Sequence, residues 1–153
     1  MRDQQYQDYR FRCKRRSMRA RDIARLLDTT YWAKGRSRKD IRKHIRHSLP
    51  YGIFTMRGEQ VGFARVITDF STTFYLADVV VREDLRGKGL GRAFMAYVLS
   101  DSRFSEAKGV LLTRTAFEFY KHFGFALCEN RCMLRERSST LQQDAGNHLE
   151  LTS

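Results

Sequence analysis

The sequence predicts a mixed α/β sheet covered by helices on both faces. Three observations carry this. Runs rich in β-branched and aromatic residues alternate with segments of helical period, in the order strand, two helices, three strands, helix, strand, helix, two strands. The run TFYLADVVV (73–81) loses its polar alternation toward its end, as a strand covered on both faces does. The 153 residues, 42% hydrophobic with a single proline, suffice for one domain around one core.

The elements follow in order. YRFRC (9–13) alternates aromatic or apolar with basic residues and reads as a half-exposed strand. Met18, Ile23, Leu26 and Leu27 stand near helical spacing. Ser37 is a plausible N-cap for a second helix, where Ile41, Ile45 and Leu49 recur every four residues under a basic outer face. His44 and His47 on that helix have no carboxylate or cysteine partner and read as surface residues. YGIFTM and QVGFARVITD, joined by Arg57-Gly58-Glu59, form a hairpin with Phe54 and Phe63 in the core. After strand 73–81 and a glycine-rich segment, Leu90, Phe94 and Val98 share one helical face. GVLLT (109–113) is a short buried strand, and AFEFYKHFGF (116–125) is a short helix ended by Gly124. FALCEN and RCMLRE close as a strand pair. The domain spans 1–137, and the polar stretch 138–153 reads as a disordered tail.

Charge is segregated. The first 47 residues carry 16 Lys/Arg against five acids, and the other 106 carry 13 against 12. An anionic partner such as nucleic acid is one reading of this basic third, and a solvated basic surface is the other. Apolar runs are too short to cross a membrane, and no signal peptide is visible, so a cytoplasmic protein without membrane attachment is expected. Cys13, Cys128 and Cys132 lack CxxC spacing and histidine partners, which argues against a metal site and a disulfide framework.

The segment DLRGKGLGR (84–92) poses the functional question. Glycines ahead of a helix let the backbone approach a ligand, and the helix start offers free N–H groups, so together they form an anion site. Arg86, Lys88 and Arg92 add positive charge. The spacing excludes a P-loop and does not match a dinucleotide fingerprint.

Arg86-Gly87-Lys88-Gly89-Leu90-Gly91 resembles the R/Q-x-x-G-x-G/A motif of the GNAT N-acetyltransferase superfamily. LLTRTAFEFYKHFGF resembles the family's second signature through Ala116, Phe119-Tyr120 and Gly124-Phe125. The gap between the two motifs fits one helix and one strand, and the resemblance covers residues 6–137. YWAKGRS and VGFARVITD resemble small bacterial-type members. Two positions depart: Thr113 stands where the family often has Asn, and Thr115 where relatives commonly carry Asp.

The resemblance implies a mostly antiparallel central sheet flanked by helices, and an acetyltransferase that moves acetyl from acetyl-CoA to a primary amine by direct attack in a ternary complex. It implies that the pyrophosphate lies on the N–H groups of residues 87–92 and that the pantetheine arm pairs with Val79, Val80 and Val81. It places the thioester between DVVV and GVLLT, beside Thr113, with an N–H near Val79 on the carbonyl. Tyr120 matches the tyrosine that protonates the leaving thiolate. Asp78 is a candidate base or a hydrogen-bonded structural acid, with water as the other proton acceptor. Asp69 is a weaker candidate near the acceptor or a turn residue. Tyr31 and Trp32 fall where the family builds one wall of the acceptor site, although a core anchor is the commoner role for such a pair. The acceptor is a small-molecule or protein amine, a homodimer is a possible assembly, and no metal is required. Two other classes stay open: a nucleic-acid- or ribosome-associated protein using the basic third, and an acyl-CoA-binding module without transfer activity.

Overall fold

A computed structural model describes residues 1–128 and 132–135. Its six strands lie in chain order across one sheet: β1 (Gln4–Tyr6), β2 (Tyr9–Arg12), β3 (Leu49–Thr55), β4 (Gln60–Thr68), β5 (Thr73–Val81) and β6 (Lys108–Val110). All neighbours are antiparallel except β5 and β6, which are parallel. The helices are α1 (Ala20–Asp28), α2 (Arg38–Arg46), α3 (Leu90–Leu99) and α4 (Phe117–Lys121).

The sheet separates two apolar layers, as the alternation of its strands requires. On one face α3 packs Phe94, Met95 and Val98 against Tyr51, Ile53 and Val66. On the other, α1 and α2 pack Ile23, Leu27 and Ile41 against Phe54, Phe63 and Val80. The predicted cap at Ser37 is present, its Oγ accepting from the Asp40 N–H at 3.1 Å. Gly124 closes α4 with φ +80°, and the Phe125 N–H bonds the Tyr120 carbonyl, a left-handed helix stop.

Four local expectations differ from the structure. The hairpin partner β1 is absent from the sequence reading, because QQY has no apolar alternation and its turn puts Gln7, not Gly, at φ +51°. Helix α2 stops at Arg46 and Leu49 opens β3, since Pro50 pushes the preceding residue away from helical angles. Strand β6 ends at Val110, and Val110 and Leu112 are exposed, so GVLLT is an edge rather than a buried strand. Residues 125–128 and 132–135 form no strand; the rest of that expected pair, and the tail from 138, lie outside the described residues.

β5 carries the irregularity that shapes the site. Phe63 and Arg65 on β4 face Val80 and Ala77 on β5, so β5 holds one extra residue. Asp78 takes up the bulge at φ +54°, a left-handed conformation that Asp tolerates better than most residues. Phe74 and Leu76 therefore face α3, whereas Asp78 and Val80 face α1 and α2. Below the bulge, β5 pairs with β6 only over Thr73–Tyr75. Beyond Tyr75 the two strands part, and β5 has no ladder partner on that side among the described residues.

Close packing makes one glycine of the sheet obligatory. A Cβ on Gly62 would stand 2.5 Å from Ile53 Cδ1 and 3.0 Å from its Cβ, too close for side-chain rotation to relieve. Gly62→Ala is expected to destabilise the fold by about 1–3 kcal/mol, the usual cost of overpacking. Urea unfolding checks it; an unchanged midpoint would show that β3 and β4 can move apart at this point.

Candidate active site

The parting of β5 and β6 opens a cavity of about 370 Å³, within the size range of small-molecule sites. It brings together Tyr31, Trp32, Asp78, Val79, Thr113 and Tyr120 from the sequence-derived candidates. Arg36, Arg65 and Tyr75 also line it and were not anticipated. Two arginines in a chain with 29 basic residues carry no signal until the fold pairs them with Asp78.

Asp78 is the centre of this wall. Its Oδ2 accepts from Arg36 Nη1 at 2.7 Å and from Arg65 Nε at 2.5 Å. Burial of the carboxyl would raise its pKa, but the charge and hydrogen bond of Arg65, joined by those of Arg36, hold it below the ordinary carboxylate range. Such a carboxylate is a weak base. His44 packs near the same cluster rather than lying free on the surface. Burial first, then Arg65 and Arg36, hold it below the ordinary histidine value, and its buried Nδ1 has no partner among the described residues.

Tyr120 reaches the cavity from α4, wedged against Phe119 and Phe125. Burial pushes its pKa up to about 12. The same desolvation, then Asp78, raises that of Tyr75, while Arg65 opposes them. Tyr31 and Trp32 stand edge to face at 4.9 Å and are 58% and 48% exposed, which places them on the cavity mouth rather than in the core. Thr113 Oγ1 accepts from the Ala116 N–H at 3.1 Å and so fixes the turn into α4.

Other candidates lie elsewhere. Asp69 closes the β4–β5 turn: its Oδ1 accepts from the N–H groups of Ser71, Thr72 and Thr73, and its Oδ2 from the Thr72 hydroxyl. Those bonds, led by the one from Thr72, depress its pKa, and it does not line the cavity. Val80 is buried between β5 and the α1/α2 layer, while Val79 and Val81 face the other side.

The glycine segment forms a turn at the start of α3, just past the end of β5. Gly87 and Gly89 have φ of +74° and +80°, angles that side chains rarely adopt, and Gly89 is the N-cap. The first bond of the helix runs from Ala93 N–H to the Gly89 carbonyl, and no N–H of residues 87–92 has a partner within the described residues. A Cβ on Gly87 would meet nothing within 4 Å, so the approach to these donors is open. Two of the three cations serve the loop itself: Arg86 Nε donates to the Val81 carbonyl at 2.8 Å and Lys88 Nζ to the Asp84 carbonyl at 3.0 Å. Leu90 is in the core, leaving Arg92 as the cation of this loop without a recorded partner. The donor set suits an anion such as a phosphate. Among the described residues no group of three His, Cys, Asp or Glu is placed to hold a metal, and no helix is long and apolar enough to cross a membrane.

The folded Asp78 ionises below its unfolded value of about 3.9, so it stabilises the fold fully above that value, and the contribution fades as pH falls through the lower folded value. Asp78→Asn is expected to cost about 3 kcal/mol at neutral pH, because two guanidiniums lose their shared anion. The cost should shrink below about pH 4. Urea unfolding of both proteins at the two pH values tests this; an equal loss at both would assign the effect to packing at the bulge.

Known proteins place this geometry. The acetyltransferase (GNAT) domain family matches residues 50–127. A GNAT-family structure from Xanthomonas campestris pv. campestris superposes with a TM-score of 0.79 at 32% identity, over 84% of this chain and 93% of that one. Proteins named uncharacterized N-acetyltransferase ycf52 from Gracilaria tenuistipitata var. liui and Porphyra purpurea are 30% and 27% identical over 110 residues, 68% of this chain in each case. The chain spans about three fifths of the length of these curated relatives, 60% and 63%. With both motifs, the parted strands and the family match in agreement, the chain belongs to the GNAT acetyltransferase family.

Proposed function

We propose that the protein is an N-acetyltransferase that moves acetyl from acetyl-CoA to a primary amine within a ternary complex. One observation supports this above the others: the gap between β5 and β6 opens between Val79 and Tyr120, with unpartnered N–H groups at 87–92 beyond the end of the same strand. Acetyl-CoA supplies an acetyl thioester, its phosphates held by the N–H groups of residues 87–92 and its arm lying along Val79–Val81. The amine nitrogen attacks the carbonyl carbon, an N–C bond forms and the C–S bond breaks. One proton leaves nitrogen and one reaches sulfur. The charge that develops on the carbonyl oxygen is met by the Val79 N–H, an interaction worth about 2.7–4 kcal/mol in comparable sites.

Tyr120 is the donor to sulfur. Its raised pKa keeps the phenol protonated at neutral pH, and it exceeds a thiol's ordinary value of about 8.5. Its main contribution is therefore a hydrogen bond to the developing thiolate; as its proton passes to sulfur, the phenol regains one from the water that took the amine proton, so none is left uncounted. Because Oδ2 of Asp78 is already shared by two arginines, water collects the amine proton and Asp78 positions the wall.

Isothermal titration with acetyl-CoA tests the proposal first, and no binding at micromolar concentration would overturn it. Tyr120→Phe is expected to lower kcat by about a hundredfold, a usual range for a lost proton donor, with the acetyl-CoA Kd nearly unchanged. The kcat profile of the wild type should show no alkaline fall near pH 10, the ordinary tyrosine value, because the folded phenol titrates at about 12. An alkaline limb near 10 that Tyr120→Phe abolishes would contradict the burial described above; a variant of full kcat would remove Tyr120 from the reaction.

A further inference from the structure

The acceptor side of the cavity is cationic, and its cations are not saturated. Asp78 is the only acid lining it among the described residues. Its carboxylate takes one N–H from Arg36 and one from Arg65, out of five that each guanidinium carries. The remaining N–H groups of both have no protein acceptor among the described residues. Arg36 and Arg65 are 23% and 13% exposed, and none of their nitrogens is a buried atom without a partner, so the donors that Asp78 does not take open onto the solvent of the cavity, where a ligand can meet them. A third cation stands at the mouth: the Arg114 guanidinium lies 5.4 Å over the Tyr31 ring and has no ion pair among the described residues. Counted over the wall and mouth, three cations face one anion.

This arrangement selects among amines. Forked guanidinium donors pair with planar or tetrahedral oxyanions through two hydrogen bonds each, and partial burial strengthens the pairing. A purely cationic acceptor meets repulsion in the same place. Tyr31 and Trp32 add flat apolar faces beside the charge. Building on the transferase reading above, we propose that the acceptor is a small amine that also carries a carboxylate or phosphate, held by Arg36 and Arg65 with Arg114 at the entrance. The positive surroundings serve the reaction as well, since they favour the neutral, attacking form of the amine over the ammonium.

Matched amines test this with the full chain and acetyl-CoA, read as thiol release. Ethanolamine is compared with phosphoethanolamine, and propylamine with β-alanine, so that phosphate and carboxylate are separate arms. Spermidine and a lysine-rich peptide are the cationic acceptors. The anion-bearing member of at least one pair should show a kcat/KM at least about tenfold above its neutral partner, the scale of a charge-assisted hydrogen bond, with the cationic acceptors lowest. Arg36→Gln and, separately, Arg114→Gln should narrow that ratio by raising KM for the anionic member. Arg114 is exposed, so its variant tests the idea even if Arg36→Gln unfolds. Neutral or cationic acceptors used as well as anionic ones, or an unchanged ratio in both variants, would overturn the anion preference and leave the transferase reading standing. If none of these amines released thiol although acetyl-CoA bound, the transferase reading would fall and this inference with it.

Discussion

The ion triad of Asp78 with Arg36 and Arg65 sits where everything else in the site meets. It joins β5, β4 and the segment between α1 and α2 through a single carboxylate oxygen. A buried carboxylate at a left-handed backbone position is costly twice, through desolvation and through strain. Both costs fall at the bulge that turns the side chains of β5 over. Without the extra residue, Asp78 would face the α3 layer with Phe74 and Leu76, far from either arginine in chemical character. The bulge, the triad and the parting of β5 from β6 are one structural event.

That event explains which parts of the site the sequence could show. The glycine segment was legible because its requirement is local: two backbone positions with φ above zero ahead of an amphipathic helix. Tyr120 was singled out through the family resemblance carried by Ala116, Phe119-Tyr120 and Gly124-Phe125, and the fold brings it to the cavity. Much of the architecture was legible because periodicity and caps act over a few residues. Arg36 and Arg65 were not. They are 42 and 13 residues from Asp78; the sheet register brings Arg65 to it, and the packing of the α1–α2 segment on that face brings Arg36. The bulge itself has no mark in TFYLADVVV, whose alternation reads as an unbroken strand. The edge character of β6 was hidden too, because GVLLT is apolar enough to pass for a buried strand. The turn that holds Asp69 is the reverse case: an Asp at the end of a strand is ambiguous until its carboxylate is seen to accept from three successive N–H groups.

The cavity and the glycine loop past the end of β5 differ in the kind of charge they offer. At the α3 end, the positive potential comes from backbone dipoles, with Arg86 and Lys88 spent on holding the loop. Dipoles on a rigid turn fit one shape, which suits a donor molecule common to every turnover. In the cavity it comes from side chains, two of them, Arg36 and Arg114, supplied by segments that connect the regular elements. Part of the basic excess in the first 47 residues is thereby given a specific place, since Arg36 belongs to it.

A cationic acceptor wall also resolves a tension in the chemistry. An amine transferase needs its acceptor unprotonated, and a free carboxylate base at the site would itself carry a negative charge that stabilises the ammonium. Asp78 left alone would do that. Clamped by two arginines, it contributes one negative charge to a wall that carries two positive ones, so the local field opposes the ammonium instead of holding it. The carboxylate thus acts by what it holds rather than by what it abstracts, and the bulge that puts it there sets the sign of the charge the incoming amine meets.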